Sequence, residues 1–515
     1  MNKIKPSILP GFFISLYVLS FSYRLSGISH THPFWIDEFS SATQALKYMH
    51  YGLNTLLNFP AYKLEFQNIS THILIAASMK LFGISTFAAR LPIVIIGSLV
   101  PLCVYLFTCQ ISSRKVAVGA ALLTTFSNIL IMWSTQARSY SILQVLVLIA
   151  LYLYLKSITY KSKKWLILLT ITSLLGLLTH LTYFLLIISF FISFLIFDIN
   201  KTRLLIKSKF FWITILSIFI LAFYFGGIYG GLNYINNKMI GANNMWYYHS
   251  FLWREYNSLT LFGILGLLIP IFLNFRRNSI VLIYLIVHLF FVSYIFSHHM
   301  TKYVLVLFPL LYIGFANSLY IIVSKIKLIK MDSQMIYYLL ICMIILNGHK
   351  YTQLPKQYYS INKDFREISN IDYDKIYAIP LTKKYNLNDK IAFIDTWIDR
   401  TNWYFPTDNY SKFLFSWENE TSFSNGHLKK TPFFKDANGY KRISDNIGFI
   451  SNTHDLSLVM QKYRYGFLFI DDDTLPQDVI EYAKKNLKKE IYLDHYPLDD
   501  NPYSIWPATL YSWGF

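Results

Sequence analysis

The stretch from Trp165 to Ile199, WLILLTITSLLGLLTHLTYFLLIISFFISFLIFDI, decides the fold class. It is apolar over some 35 residues and flanked by Lys164 and Lys201. As one helix rising about 1.5 Å per residue it would reach about 52 Å, against about 30 Å of bilayer hydrocarbon. The stretch must therefore fold back on itself, and its turn falls near Thr179-His180-Leu181-Thr182. Two spans joined by a tight outer turn are the unit from which the rest of the chain is read.

Working outward, 54% of the 515 residues are hydrophobic and 18% aromatic, and runs of membrane-crossing length recur. A soluble fold is excluded. The formal net charge of +19 does not indicate nucleic acid, because Lys and Arg sit in short bursts between apolar runs instead of forming a stripe with interleaved aromatics. Residues Leu9 to Ser26 follow only Lys3 and Lys5 and carry no small-residue cleavage site, so they read as a retained anchor. Cys103, Cys109 and Cys342 lie within apolar runs, which argues against disulfides and thiolate metal sites.

Spans are expected at 9–26, 91–111, 116–133, 139–156, 165–179, 182–199, 210–229, 258–275, 279–297, 303–324 and 336–349, about eleven crossings. With the N-terminus cytoplasmic, every even-numbered connection carries a basic burst: Arg114-Lys115, Lys161 with Lys163 and Lys164, Lys201 to Lys209, Arg276-Arg277, and Lys325 to Lys330. The apolar segment Ile69 to Gly83 would reach only about 22 Å as a helix and is read as interfacial. A second amphipathic helix is expected from Asp37-Glu38, with Phe39, Ala42, Leu46, Met49 and Leu53 on one face. After Gly348 the composition turns to Asn, Asp, Lys and Tyr, with strand-like runs at 390–394 and 465–470 and a helical pattern at 477–487. The expected architecture is an α-helical polytopic membrane domain, residues 1–349 with an external loop at 27–90, followed by an extracytoplasmic α/β domain, residues 350–515.

Within that topology Asp37-Glu38 follows the first span, in an apolar and aromatic setting where two carboxylates are costly unless they meet water or a substrate. On the same outer face fall Gln136, Arg138, His180, His298-His299 and Lys302-Tyr303. An acid opposite scattered cations at a membrane surface suits transfer of a group from a lipid phosphate. The cations hold the leaving phosphate and the acid takes a proton from the acceptor.

Several elements in order carry a family resemblance: Leu81-Phe82-Gly83 before Ala89-Arg90-Leu91-Pro92, Gln136-Ala137-Arg138-Ser139-Tyr140, Thr179-His180 with Tyr183, and Lys302-Tyr303 with Pro309. Over roughly residues 30 to 320 the chain resembles polytopic GT-C glycosyltransferases of the protein O-mannosyltransferase and lipid A aminoarabinose transferase group. The resemblance implies a polyprenyl-phosphate-linked sugar donor, a lipid, glycan or protein acceptor, an extracytoplasmic site in the plasma (inner) membrane and inversion at the sugar carbon. It makes Asp37 and Glu38 the catalytic candidates. Arg138, Lys302 and Tyr303 would bind the donor phosphate, and Gln136, Tyr140, His180, Asn68 and His72 are candidate substrate contacts. Three positions depart from the family pattern. Gln136 stands where an acid is common, which leaves divalent-metal dependence open, with Asp37 the remaining candidate ligand. Lys302 stands where Arg is common, and Gln67-Asn68-Ile69-Ser70 replaces a His or Lys followed by prolines.

Plainer readings stand beside these. Asp37-Glu38 could be the solvated first turn of a helix, Arg138 a snorkelling residue, and His180 a hydrogen-bonded hairpin residue. Adjacent His298 and His299 would point about 100° apart on a helix and cannot easily share one ion. The triplets at Asn68, Asn409 and Asn419 match glycosylation acceptors but arise often by chance. The loop 230–257, with Trp246, Tyr247, Tyr248 and Trp253, offers aromatic faces on which sugars stack. Two rival functions are a flippase or transporter for lipid-linked sugars and a non-catalytic scaffold. The first predicts charges in helix middles and two related halves, and the second would tolerate loss of the Asp37 carboxylate.

Overall fold

The computed structural model describes residues 8–28, 33–52, 54, 68–197, 244–296, 300–325, 332–346, 371–383, 390–406, 409–416, 422–424, 427–429, 433–436, 439–442, 447–471, 475–495 and 506–515. Its helices run α1 (Ile8–Gly27), α2 (Ile36–Tyr51), α3 (Ile69–Phe82), α4 (Thr86–Gly97), α5 (Val100–Ile111), α6 (Arg114–Thr125), α7 (Asn128–Ser134) and α8 (Tyr140–Tyr160). They continue with α9 (Lys163–Thr179), α10 (Phe184–Phe197), α11 (Met245–Ser250), α12 (Asn257–Leu273), α13 (Phe275–Tyr294), α14 (Phe308–Lys325) and α15 (Ser333–Leu346). The chain divides into two compact units, one of Met1–Thr31 with Asn58–Lys356, the other of His32–Leu57 with Gln357–Phe515.

The first unit is helical and belongs to an integral membrane protein. Among the described residues four helices are long and apolar enough to cross a bilayer: Thr86–Ile111, Tyr140–Tyr160, Phe275–Tyr294 and Thr301–Lys325. Two bent pairs raise the number to six, Arg114–Thr125 with Asn128–Ser134 at 58° and Met245–Trp253 with Asn257–Leu273 at 98°. The expected span at 116–133 is thus broken where Ser127 leaves the helix and caps α7 by accepting from the Leu130 N–H. The expected span at 210–229 lies outside the described residues. Ile69–Phe82 is a 14-residue helix, about 21 Å long and too short to cross.

Buried polar side chains tie these helices together by answering backbone groups that the helices leave open. Arg24, fully buried at the end of α1, donates to the last carbonyls of α6, Thr124 O at 3.5 Å and Thr125 O at 3.4 Å, where a helix C-terminus favours a cation. Arg90 donates to Ile28 O at 2.8 Å. Pro270 inside α12 has no N–H for the carbonyl of Gly266 four residues earlier. Asn317 Nδ2 from α14 supplies the missing donor at 2.8 Å, and its Oδ1 accepts from Ser112 Oγ at 2.8 Å. Helices α12 and α14 can meet this closely because Gly263, Gly266 and Gly314 line the crossing. A Cβ on Gly314 would fall 2.7 Å from the carbonyl carbon of Gly263. Small residues at such crossings are how membrane helices approach each other.

The second unit is an α/β domain built on β1 (Ile391–Asp395), β2 (Tyr410–Phe415), β3 (Ser422–Ser424), β4 (His427–Lys429), β5 (Phe433–Asp436), β6 (Gly439–Arg442), β7 (Gly448–Ile450), β8 (Gly466–Ile470), β9 (Lys488–His495) and β10 (Trp506–Trp513). Among the described residues the main sheet has the order β5-β6-β7-β2-β1-β8-β10-β9, and β3 and β4 form a separate hairpin. The central strands β7, β2, β1 and β8 are parallel, and β10 returns antiparallel to β8. β1 and β8 are buried at every position, as strands covered on both faces must be. Helices α16 (Tyr373–Thr382), α17 (Ile398–Tyr404), α18 (Thr453–Lys462) and α19 (Gln477–Asn486) accompany the sheet. The expected boundary at 349/350 lies outside the described residues. Residues 32–57, expected with the membrane part, group with the α/β unit. The reason is aromatic packing: Phe34 stacks on Trp403 at 5.1 Å, and Phe39 lies against Tyr373 and Tyr404, both at 5.6 Å.

Candidate functional site

In the membrane unit, the Gln136-Ala137-Arg138 segment is a tight turn between α7 and α8. Thr135 closes α7, and the Arg138 N–H reaches back to Gln136 O at 2.8 Å. Gln136 and Ala137 are fully buried and Arg138 nearly so, at 9% exposure. Tyr140, opening α8, meets Trp133 edge-on at 5.3 Å and lies tilted on the ring of His180 at 5.2 Å. The Arg138 guanidinium sits 5.9 Å from the Tyr140 ring centre. The Gln-Ala-Arg-Ser-Tyr element is thereby brought onto the His180 corner.

His180 stands in the connection between α9 and the short 3-10 turn at Leu181–Tyr183, in extended backbone. The long apolar run does break at the expected place. Tyr183 lies back along α9, its ring over Gly176 and its hydroxyl 3.4 Å from Ser173 Oγ. The Thr182 N–H donates to His180 Nδ1 at 3.2 Å, so the proton of the neutral ring belongs on Nε2. Burial drives the His180 pKa down to about 3, helped by the charges of Arg138, Lys302 and His288. His180 is therefore neutral at pH 7, and both Arg138 and Lys302 lie within electrostatic reach of it.

Lys302 and Tyr303 occupy a 3-10 turn, Thr301–Tyr303, ahead of α14. Lys302 is 7% exposed, with Nζ 5.9 Å from the Tyr303 ring centre. Two buried side chains, neither singled out from sequence, hold this turn and the 3-10 turn that follows it, Leu305–Leu307. His288 of α13 donates from Nε2 to Tyr303 O at 2.6 Å, and Gln144 of α8 donates from Nε2 to Leu305 O at 2.9 Å. Gln144 lies one helical turn past Tyr140, so it couples the Arg138 segment to the Lys302 segment. Their signal in the sequence is a lone polar residue within an apolar run. From the other side Tyr248 Oη donates to Met300 O at 3.3 Å and accepts from the Met300 N–H at 3.2 Å.

The remaining candidates are distributed as follows. Asn68 precedes α3 and His72 lies within it, both buried. Ser70 of that helix meets Thr179 Oγ1 at 2.7 Å, which seats the start of α3 beside the His180 corner. Residues 245–255, expected as loop, are an α-helical turn followed by a π-helical one, with Trp246 72% and Trp253 51% exposed. His298 and His299 lie outside the described residues. Asp37 and Glu38 fall in the first turn of α2, as expected, Glu38 buried and Asp37 half-buried. Helix α2 is part of the α/β unit, and its expected apolar stripe is broader: Ser41, Thr43, Gln44 and Ala45 are buried along with Phe39, Ala42 and Leu46. Among the described residues no three His, Cys, Asp or Glu side chains group as a metal-ligand set.

The α/β unit carries a second polar cluster that was not singled out from sequence. At the carboxyl ends of β1 and β8, Arg400 forks between Asp395 Oδ1, 2.5 Å from Nη2, and Asp471 Oδ2, 2.6 Å from Nη1. Tyr377 and Thr401 donate to Asp395, and Thr396 donates to Asp471. The guanidinium lies between the rings of Tyr373 at 4.6 Å and Phe469 at 4.5 Å. Burial opposes the Arg400 charge, but Asp395 and then Asp471 outweigh it and raise the pKa well above the usual arginine value. The cluster ties α17 to the ends of β1 and β8 and reads as a lock for that helix.

Known proteins share part of this sequence and the fold. Residues 69–227 match the family model described as dolichyl-phosphate-mannose-protein mannosyltransferase. No curated protein sequence matches the chain. Among solved structures, ArnT from Cupriavidus metallidurans in the apo state is similar with a TM-score of 0.59 at 10% identity, covering 98% of both chains. The same protein bound to undecaprenyl phosphate gives a TM-score of 0.52 at 11% identity, again over 98% of both. The Archaeoglobus fulgidus oligosaccharyltransferase tethered to an acceptor peptide containing the NVT sequon gives 0.53 at 12% identity, over 96% of this chain and 74% of that one. At such identities the structural likeness speaks for the fold.

Proposed function

We propose that this chain is a membrane glycosyltransferase of the GT-C superfamily, a reading that the family model and the fold similarity support, and that it moves a sugar from a polyprenyl-phosphate donor to a lipid, glycan or protein acceptor on the extracytoplasmic face, with inversion at the sugar carbon. The observation that carries the reading is that two nearly buried cations share the His180 corner: Arg138, 5.9 Å from the Tyr140 ring that lies on His180, and Lys302, within electrostatic reach of the imidazole. The undecaprenyl phosphate in one structural neighbour and the acceptor peptide in another support the donor and acceptor classes. The basic bursts support a cytoplasmic N-terminus and an external α/β unit in the plasma membrane.

In this mechanism the Asp37 carboxylate removes the proton from the acceptor hydroxyl or amine. The acceptor attacks the anomeric carbon from the side opposite the phosphate, and the carbon–oxygen bond to the phosphate breaks. The leaving lipid phosphate gains one negative charge, which Arg138 and Lys302 stabilise more strongly in the transition state than in the ground state. Glu38, being buried, is assigned to orienting the acid pair and not to proton transfer.

The test is a strain lacking the protein, whose surface glycans and membrane lipids are compared with the parent by mass spectrometry. The missing product identifies the sugar. Complementation with Asp37→Asn, inserted at wild-type level, is expected to leave that product absent. Undiminished product would remove Asp37 from the mechanism, and labelling of a cysteine at position 37 only from the cytoplasm would overturn the topology. EDTA added to the same membranes reads whether a divalent cation takes part.

A further inference from the structure

The acid-bearing helix α2 follows the first membrane span in sequence, yet it is built into the α/β unit that begins some 300 residues later. Phe39, directly after Glu38, is fully buried against Phe34, Tyr373 and Tyr404. Phe34 stacks on Trp403 of α17. One turn further along α2, Thr43 Oγ1 donates to the backbone carbonyl of Asp399, at the start of α17, at 3.0 Å. The surface that receives α2 is itself rigid. Tyr404 stacks on Tyr377 at 4.2 Å, Tyr377 donates to Asp395, and the Arg400 fork clamps α17 to the ends of β1 and β8. A path of ring contacts and hydrogen bonds thus runs from the residue beside Glu38 to the two central strands.

We infer that the α/β unit is the positioning scaffold of the Asp37 helix: Thr43 and Phe39 on α2, and Arg400 on α17, are positioning residues that set where the Asp37 carboxylate stands during transfer. This rests on the proposed role of Asp37 as base. The unit is then a part of the catalytic apparatus even if it never touches substrate. A base displaced by about 1 Å can lose on the order of 100-fold in rate without any change in how the donor is held.

The experiment uses the full-length protein in detergent, with undecaprenyl-phosphate-linked hexoses as donor probes and the lipid and glycan extract of the deletion strain as acceptor. Release of undecaprenyl phosphate is followed as donor concentration is varied. Thr43→Val removes the hydroxyl at nearly constant volume and is expected to lower kcat about 10- to 100-fold, with the donor KM within about twofold of wild type. Thr43→Ser keeps the hydroxyl and is expected to recover kcat to within about threefold, which a simple packing defect would not do. An unchanged kcat in Thr43→Val, or equal losses in the Val and Ser proteins, overturns the inference. Asp37→Asn runs in parallel. If it still transfers, the reading of Asp37 as base has failed and the inference goes with it. If it is inactive while Thr43→Val is normal, only the scaffold role has failed.

Discussion

Gly314→Ala is expected to force α12 and α14 apart. The added Cβ would lie 2.7 Å from the Gly263 carbonyl carbon and 2.9 Å from Leu267 Cγ, with Gly263 O closer still. Carbon atoms rest about 3.5–4.0 Å apart, so the crossing must open by roughly 1 Å. Overpacking of this kind costs about 1–3 kcal/mol. The same movement stretches Asn317 Nδ2 to Gly266 O, now 2.8 Å, and Ser318 Oγ to Phe262 O, now 2.7 Å. At about 0.6 kcal/mol for each such intramembrane bond, the total loss is about 2–4 kcal/mol. The assay is size-exclusion elution of detergent-solubilised protein after stepwise heating, with Gly11→Ala as control because a Cβ there meets nothing within 4 Å. Gly314→Ala is expected to melt several degrees below wild type and Gly11→Ala to match or exceed it. Since α14 continues from the Lys302 turn, initial transfer rates should fall as well. Equal melting midpoints for Gly314→Ala and wild type would show that the helices do not approach as described.

Two further outcomes are expected. Asn317→Leu leaves Gly266 O without a donor and costs about 1–3 kcal/mol in the same melting assay, whereas in a Pro270→Ala background the restored N–H can serve Gly266 O and the cost shrinks; additive losses in the double variant would refute that pairing. The His180 pKa, depressed to about 3 against 6.5 ordinarily, means the unfolded chain binds the extra proton between those values, so this contribution to stability is complete above pH 6.5 and is lost as pH falls towards 3. His180→Gln should therefore flatten the acid-side loss of thermal stability between pH 6.5 and 4, and an unaltered slope would place His180 elsewhere than in a buried cationic corner.

The membrane class, the break at His180, the first turn of α2 and the strands at 391–395 and 466–470 were legible because each rests on a local signal: length of an apolar run, acids at a helix start, or a β-branched and aromatic stretch between turn residues. The bend at Ser127 was not legible, since Ser127-Asn128 is only a short polar interruption in a run of membrane-crossing length, and the cap reveals itself only in the hydrogen bond from Leu130. The grouping of α2 with the α/β unit was hidden for another reason. Its cause lies in pairs such as Phe39 with Tyr373 and Thr43 with Asp399, more than 300 residues apart, and no periodicity reports contacts of that separation. For the same reason Arg138 and Lys302 were named from sequence while Gln144 and His288, which hold their segments, were not.

Those last two residues bear on how polar groups in apolar helices should be read. An ionisable or amide side chain inside a membrane segment is taken by default as functional, because it is expensive there. Among the described residues at least five such side chains donate to main-chain carbonyls, some of them left open by the helices and others already holding one backbone bond. Asn317 serves the carbonyl that Pro270 releases, Asn278 donates to Pro270 O at 2.7 Å, Arg24 serves the end of α6, and His288 and Gln144 serve carbonyls of the 3-10 turns before α14. Each has a main-chain oxygen as its partner and therefore a sufficient structural reason to exist. His180 differs: its Nδ1 engages Thr182, and the charges acting on its ring are those of the side chains Arg138 and Lys302. A side chain that completes the backbone is thereby told apart from one set among other side-chain charges.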